Sequence, residues 1–293
     1  MMQHHGHAAP ERVVLIGARG FIPLALRREL DARGIPALAV GSADIDLTAA
    51  GAGEALGSRL QPSDAVVMLA ALTPDRGRDI ATLMRNLAMM RSVCAALQMV
   101  RCSHLLYFSS DAVYDPAVTR VGPATSPAPA DLYGAMHLTR EIMARSLTDI
   151  PLAILRVTGV YGAGDPHNSY GPNRFRRMAA TSGSITLFGG GEEKRDHVYL
   201  GDVARFAAAC LERRSTGVID VATGVSTTFK DVAQMVAGQF PEAIAIVETP
   251  RGNPVTHRHY DGTALIKAFP EFRFTPLEQG LARVTREESA AHG

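Results

Sequence analysis

The chain has 293 residues, 46% of them hydrophobic and 20% charged, with a formal net charge of +1. That length exceeds one simple domain and falls short of two independent ones, so a large core carrying a smaller lobe is expected. The balanced charge gives no electrostatic case for a nucleic-acid or membrane partner, and no apolar run approaches the ~20 residues that span a bilayer.

MMQHHGHAAPER is polar and has no apolar signal-peptide core. Residues 1–11 read as a flexible tail. No metal site is expected at its HHGH run, nor at His257 and His259, which have no third ligand at telling spacing. Cys94, Cys102 and Cys210 form no CxxC pair, so reduced structural thiols in the cytoplasm are expected.

VVLIGARGF is a short apolar strand ending in a glycine turn, and LALRRELDARG has helical periodicity with a Gly stop. Gly17, Arg19, Gly20, Phe21 and Ile22 therefore sit between a first strand and a helix start. Backbone amides there lack partners within the helix and can bind a pyrophosphate, and glycine lets the phosphate approach. Pro23 stands where glycine would give close helix–sheet packing. Proline is allowed in a first helical turn, so a small shift of the helix is expected.

PALAV is a second strand. It ends Val40-Gly41-Ser42, without the acid that would favour NAD by binding a ribose hydroxyl. Arg19 and Ser42 suit a 2′-phosphate instead. NADP is favoured modestly, with Asp44 and Asp46 keeping NAD open.

DAVVMLAA and LLYFSS are further strands, separated by the amphipathic helix TLMRNLAMMRSVCAALQMV. The Pro-rich stretch at 119–131 delivers a helix beginning near Tyr133, and PLAILRVTGVYG is another buried strand. Strands alternating with helices predict an α/β fold, a doubly wound parallel sheet covered on both faces. The expected division is a Rossmann-like cofactor domain over 12–164 and a smaller, sequence-discontinuous substrate lobe over 165–293. A segment near 200–235, containing GVIDVATG, is expected to return to the large domain.

GARGFI, DIDLT, MLAA, Asn86, FSSDAVYD, Tyr133, LRVTGVYG and RDHVYLGDVARF follow one another in order. Together they resemble the extended short-chain dehydrogenase/reductase family, in its nucleotide-sugar epimerase, dehydratase and reductase branch. SSDAVYD and DIDLT are most similar to the dTDP-4-dehydrorhamnose reductase type, while YGPNRF and LFGGGEEKRDHVY also suit a UDP-glucose 4-epimerase-like protein. The resemblance implies that Asp46 and Leu47 lie at the adenine and that Ala70 and Ala71 flank the cofactor's phosphates and ribose. It makes Ser110 and Tyr133 the catalytic pair and Arg195 a ligand of the nucleotide sugar's diphosphate. Asn173 and Arg174 of YGPNRF are candidate substrate contacts, with Arg176 and Arg177 completing a basic cluster.

The chemistry needs these residue types in any case. Hydride transfer at a sugar carbon requires a proton moved at its oxygen, which a phenol can do if its pKa falls from about 10. A hydroxyl such as that of Ser110 can hold the same oxygen. Asp111 is a candidate acid, but Ala112 stands where family dehydratases carry Glu, which argues against a 4,6-dehydratase. Gly159 replaces an Asn that commonly helps bind substrate phosphate in the family.

In YGAMH, His137 lies one turn after Tyr133 and shares its face. The family's Lys there lowers the Tyr pKa and binds the nicotinamide ribose. His137 is expected to donate to the ribose, with help to the phenolate that fades as pH rises. Met84, Leu87, Met90, Val93, Cys94 and Leu97 form an apolar stripe, and Met136, Leu138, Ile142 and Met143 lie on the Tyr helix. The resemblance implies a homodimer through the 79–99 and 131–147 helices. The alternative to an enzyme is a cofactor-binding regulatory subunit that has lost catalysis.

Overall fold

The computed structural model describes residues 2–292, with side chains through Glu288. The first half contains β1 (Val13–Ile16), α1 (Phe21–Ala32), β2 (Ala37–Val40), α2 (Ala52–Gly57), β3 (Ala65–Met68), α3 (Ile80–Met99) and β4 (His104–Ser110). A single 3₁₀ turn (Asp111–Val113) leads to β5 (Arg120–Val121), α4 (Leu132–Arg145), β6 (Leu152–Val157) and β7 (Gly159–Tyr161). The remainder is α5 (Pro172–Ser182), β8 (Ser184–Phe188), β9 (Lys194–Tyr199), α6 (Leu200–Glu212), β10 (Gly217–Val221), β11 (Ser226–Thr228) and α7 (Phe229–Ala237). It closes with β12 (Ala245–Thr249), β13 (His259–Tyr260), α8 (Thr263–Ala268) and α9 (Leu277–His292).

Six parallel strands run in the order β2-β1-β3-β4-β6-β10. This is the expected Rossmann-like, doubly wound sheet. Strand periodicity fills both faces. Val13, Leu15, Ala65 and Val67 pack with Leu26, Leu30 and Phe206 on one side. Val14, Ile16, Val66 and Met68 pack with Met90, Val93 and Leu97 on the other. The strand order reverses between β1 and β3, and such a switch point opens a crevice beyond the strands' carboxyl ends.

The smaller lobe has its own core of Phe175, Ile185, Leu187, Phe229, Val232 and Leu281. It contains the sheet β11-β9-β7 and the pair β12-β8. Within 200–235, α6 and β10 join the large domain, whereas β11 pairs with β9 and α7 packs on α5. No helix among the described residues is long and apolar enough to cross a membrane.

The expected frayed tail is instead docked over its first residues. Met2 is buried, and Gln3 pairs with Thr216. His4 bonds the Ser215 hydroxyl at 2.9 Å and the Ala268 carbonyl at 2.8 Å. A backbone edge left free by β10 accounts for this docking, which the polar sequence conceals. The three cysteines are free; Cys102 and Cys210 are buried and Cys94 is half-buried.

Helix α4 is held to the sheet by a charge network. Glu141 is fully buried and takes a two-pronged contact from Arg156, at 2.9 and 2.7 Å, plus the Ser109 hydroxyl at 2.7 Å. Arg156 also donates to Tyr114, whose hydroxyl donates to Asp220 at 2.7 Å. Removing one partner would strand the other charge in the core. Glu141→Ala is expected to lower stability by roughly 3–5 kcal/mol, measured by urea unfolding. A loss below about 1 kcal/mol would mean that water reaches Arg156 and the network contributes little.

Candidate active site

The crevice begins at Gly17. Its φ is +102°, and a Cβ there would lie 2.6 Å from the Ala70 amide nitrogen. Only glycine fits, and β1 and β3 end in contact. Gly20 then caps α1 with no side-chain bond to its first amides, and Pro23 falls within that first turn, where no N–H is needed. Phe21 and Ile22 follow the cap and are half-buried. Gly17 and Ala18 give their amides to the Val40 carbonyl and Gly20 to the Gly17 carbonyl, so the amides left for a pyrophosphate are those at the start of α1.

At the end of β2 lies Asp44, one of the two acids that keep NAD open. Asp44 folds back and accepts the Gly41 N–H at 2.8 Å. Arg19 reaches the same spot, its Nε 3.9 Å from where a Gly41 Cβ would be. Ser42 is exposed beside them. Asp46 is exposed and accepts both the Thr48 amide and its hydroxyl, while the Leu47 carbonyl accepts from Ser92 at 2.8 Å. Ala70 and Ala71 are half-buried at the end of β3.

Asp131 caps α4 by accepting the Gly134 N–H at 2.8 Å, which places Tyr133 in the helix's first turn. A Cβ on Gly134 would lie 2.0 Å from the Ala112 carbonyl. The glycine of YGAMH therefore seats α4 on the turn that carries Ser110 and Asp111. Tyr133 shares a cleft with Leu72, Arg78, Thr82, Asn86 and Met136. Asn86 clamps the cleft wall, exchanging two bonds with the Leu72 backbone at 2.9 and 3.0 Å.

Burial pushes the Tyr133 phenol up to about 12, and the Asp111 carboxylate pushes the same way. A hydrogen bond with Ser110 and the charge of Arg140 oppose them. Ser110 also accepts the Ala112 N–H at 3.1 Å, so it caps the 3₁₀ turn as well as facing the phenol. Asp111 is taken up by Tyr260, whose hydroxyl donates to it at 2.6 Å. Burial raises its pKa, partly offset by Tyr260, Arg258 and Arg195.

His137 is 4% exposed. Burial holds its pKa down at about 3, and the neighbouring Arg140 lowers it further. The ring is therefore neutral at working pH, which overturns the expected pH-fading help to the phenolate: no charge is present to fade. Nδ1 bonds the Tyr107 hydroxyl at 2.8 Å, and the ring meets Tyr133 edge-on with centroids 4.7 Å apart. Its Nε2 is buried without a partner. A neutral imidazole with one nitrogen engaged and the other free suits a ribose hydroxyl.

Arg195 lies near Asp111, Tyr260 and Arg258. Three of its guanidinium donors go to the Lys194 and Thr256 carbonyls and the Thr256 hydroxyl, at 2.7–2.9 Å. Asn173 is turned inward. Its amide ties Gly162 and Val160, at 3.1 and 3.3 Å, so it braces α5 and is not displayed to a ligand. Arg174 lies over the Tyr170 ring, Arg176 pairs with Glu288, and Arg177 with Asp165. The basic cluster thus points three ways. At Gly159 a Cβ would meet the Asp196 carbonyl at 3.2 Å and His197 at 3.5 Å, so a longer side chain would be crowded there.

The model of the NAD dependent epimerase/dehydratase family matches residues 13–222. The chain belongs to that family. Over 124 residues it is 35% identical to a dTDP-L-rhamnose 4-epimerase of Burkholderia thailandensis, an alignment covering 40% of this chain. The chain spans 34% of that relative's length. Among solved structures it is similar to MoeE5 in complex with UDP-glucose and NAD, with a TM-score of 0.82 at 21% identity, covering 96% of this chain and 100% of that one. RMD from Pseudomonas aeruginosa complexed with NADPH gives a TM-score of 0.82 at 20% identity, covering 96% and 99%. At such identities the structural likeness concerns the fold.

Sequence reading overlooked Tyr107, Arg140, Arg258 and Tyr260 in this member of the family. Arg140 carried a signal, being on the same helix face as Tyr133 and His137. Tyr260 carried none, since a separation of 149 residues hides its bond to Asp111.

His137 also makes stability depend on pH. Between about pH 6.5 and 3 the unfolded chain takes up a proton there that the folded chain refuses. The associated stability is present above the unfolded value and lost as pH falls. Relative to His137→Gln, the wild type is expected to lose about 2 kcal/mol between about pH 8 and pH 5 in urea unfolding. Parallel curves for the two proteins would show that folded His137 accepts a proton freely.

Proposed function

We propose that this protein is a nicotinamide-dependent enzyme that reduces or epimerises a nucleotide-linked sugar, with Tyr133 as its acid/base. The carrying observation is the convergence of a phenol, the Ser110 hydroxyl and the free His137 Nε2 at the same end of the sheet as the glycine crevice. The family of the chain supports the reading.

The bound nicotinamide would exchange a hydride with a sugar carbon. The chain's own groups do the rest. Tyr133 moves a proton at the sugar oxygen, and Ser110 holds that oxygen. His137 donates from Nε2 to the nicotinamide ribose. The amides of Phe21 and Ile22 at the start of α1 hold the pyrophosphate, with Gly17, Gly20 and Arg19 shaping the turn, Ala70 and Ala71 beside it and Asp46 and Leu47 at the adenine. Arg19 and Ser42 receive a 2′-phosphate, and NADP is preferred to NAD, although the Asp44 carboxylate at the same strand end narrows the margin. Arg195 binds the substrate's diphosphate and Arg174 lies nearer the rim. Reduction and epimerisation share the hydride step and differ in whether the cofactor leaves used.

The enzyme acts as a homodimer through α3 and α4. Met90, Val93, Leu97 and Met136 of the anticipated stripe are internal core, but Ile80, Met84 and Ile142 remain 69%, 57% and 60% exposed. That exposed apolar surface is the support for a two-fold contact. Met84→Arg with Ile142→Arg is expected to give a monomer by light scattering; an unchanged mass would remove these helices from any interface.

NADPH absorbance, followed with a panel of nucleotide-linked 4-keto-6-deoxy sugars, tests the reaction. Turnover on one sugar should fall at least about 100-fold in Tyr133→Phe. Unaltered turnover in that variant would take the acid/base role from Tyr133. Arg19→Ala should weaken NADP+ binding about tenfold and NAD+ binding less than about twofold, by calorimetry. Equal losses for both would show that Arg19 does not read the 2′-phosphate.

A further inference from the structure

A guanidinium is buried behind the Tyr133 cleft. Arg140 is 1% exposed. It lies seven residues after Tyr133, close to two helical turns, so Tyr133, His137 and Arg140 share a face of α4. Its Nη1 donates to the Ala70 carbonyl at 2.8 Å, and its Nε to the Asn86 carbonyl at 3.0 Å. Nη2 donates to the Asn86 carbonyl and, at 3.1 Å, to the Asn86 side-chain oxygen. It also reaches the Tyr107 hydroxyl.

Every one of these acceptors is neutral. Glu141, the next residue, is taken up by Arg156, Arg145 and Ser109. Among the described residues no carboxylate pairs with Arg140. The groups facing it are Tyr107 of β4, Tyr133 and His137 of α4, and Cys94 of α3. A buried cation without a counter-ion is costly. Carbonyl acceptors such as those of Ala70 and Asn86 need donors but do not by themselves call for a cation. The charge itself therefore needs an explanation, and a phenolate that forms during turnover supplies one.

Tyr133 is faced by the Asp111 carboxylate from the 3₁₀ turn and the Asp131 carboxylate at the helix cap, both of which resist its ionisation. Ser110 and Arg140 favour ionisation, and of these two only Arg140 carries a charge. We propose that Arg140 is a positioning residue that favours the Tyr133 phenolate, supplying from two turns along the helix a charge that His137 does not carry. The proposal rests on Tyr133 being the acid/base of the reaction given above. Arg140 also orders His137. Arg140 reaches the Tyr107 hydroxyl, which meets His137 Nδ1 at 2.8 Å; in the tautomer the proposal requires, Tyr107 donates to Nδ1 and the imidazole proton sits on Nε2. One buried cation thus sets both neighbours.

The test titrates the phenol and needs neither cofactor nor sugar. The full chain is grown with 3,5-difluorotyrosine, whose more acidic phenol titrates where the protein stays folded. The Tyr133 fluorine resonance is assigned as the one missing in Tyr133→Phe. Arg140→Gln keeps amide donors and removes the charge, and is expected to raise the Tyr133 midpoint by about one pH unit or more. Arg140→Lys should stay within about half a pH unit of wild type. An unmoved midpoint in Arg140→Gln would overturn the proposal. So would a rise in Arg140→Lys as large as in Arg140→Gln, because geometry and not charge would then matter. Should Arg140→Gln fail to fold, His137→Gln still decides: it removes no charge, and a rise of about one pH unit there would give the role to His137. Loss of the sugar reaction with a normal Arg140 effect would sink the proposed function alone.

Discussion

Helix α4 buries a polar face, and the placement of the whole site depends on how that face is satisfied. Tyr133, His137, Arg140 and Glu141 all turn inward, which costs a helix little only where donors and acceptors find partners, and His137 Nε2 is the exception. Glu141 and Arg156 achieve this with two parallel contacts, and Ser109 and Tyr114 take the remaining valences. Such a pair adds little net stability over a well-packed apolar pair, because desolvation offsets attraction. Its effect is to fix orientation. With Glu141 locked to β6, the helix cannot rotate, and the phenol one face-turn away is held over the strand ends.

The same helix couples the two ends of the crevice. Gly17 brings β1 against Ala70, and the Ala70 carbonyl is held by Arg140. The glycine turn before α1 and the helix that carries the phenol are therefore connected through a single residue. At the far end of β2 two opposite charges meet around Gly41: a 2′-phosphate there would be drawn by Arg19 and repelled by Asp44. Asp44 already spends one oxygen on a backbone amide and lies 3.8 Å from Arg59, which tempers its repulsion. In the proposed function that balance at one strand end sets the choice between NADP and NAD.

The doubly wound sheet was legible because apolar runs of strand length alternate with amphipathic helices, and local period alone dictates which face each residue covers. The glycine crevice was legible for the same reason, since turn, strand end and helix start are adjacent in sequence. What escaped is long-range or concerns desolvation. A polar tail beside an unpaired strand edge looks no different from a frayed one, so the docking of His4 on Ser215 was hidden. Asn173 sits in a motif that suggests substrate, yet its amide is used on Gly162. An Arg on a helix that also carries Thr139 and Glu141 reads as solvated. Only the depth of the site shows that Arg140 is sealed, and only the same depth fixes His137 as neutral.

These buried costs bear on whether the site works or has retired. An orphaned Nε2 on His137 and a cation on Arg140 without a counter-ion each subtract from stability. A protein that only bound a cofactor would gain from replacing both with apolar side chains of similar volume. In the proposed reaction the two become useful at one moment, when a ribose hydroxyl would meet Nε2 and negative charge would develop on the Tyr133 oxygen. Strain of that kind is expected where chemistry is done. The His in YGAMH is then one half of a rearrangement: the hydrogen bond stays at position 137 and the charge moves to position 140.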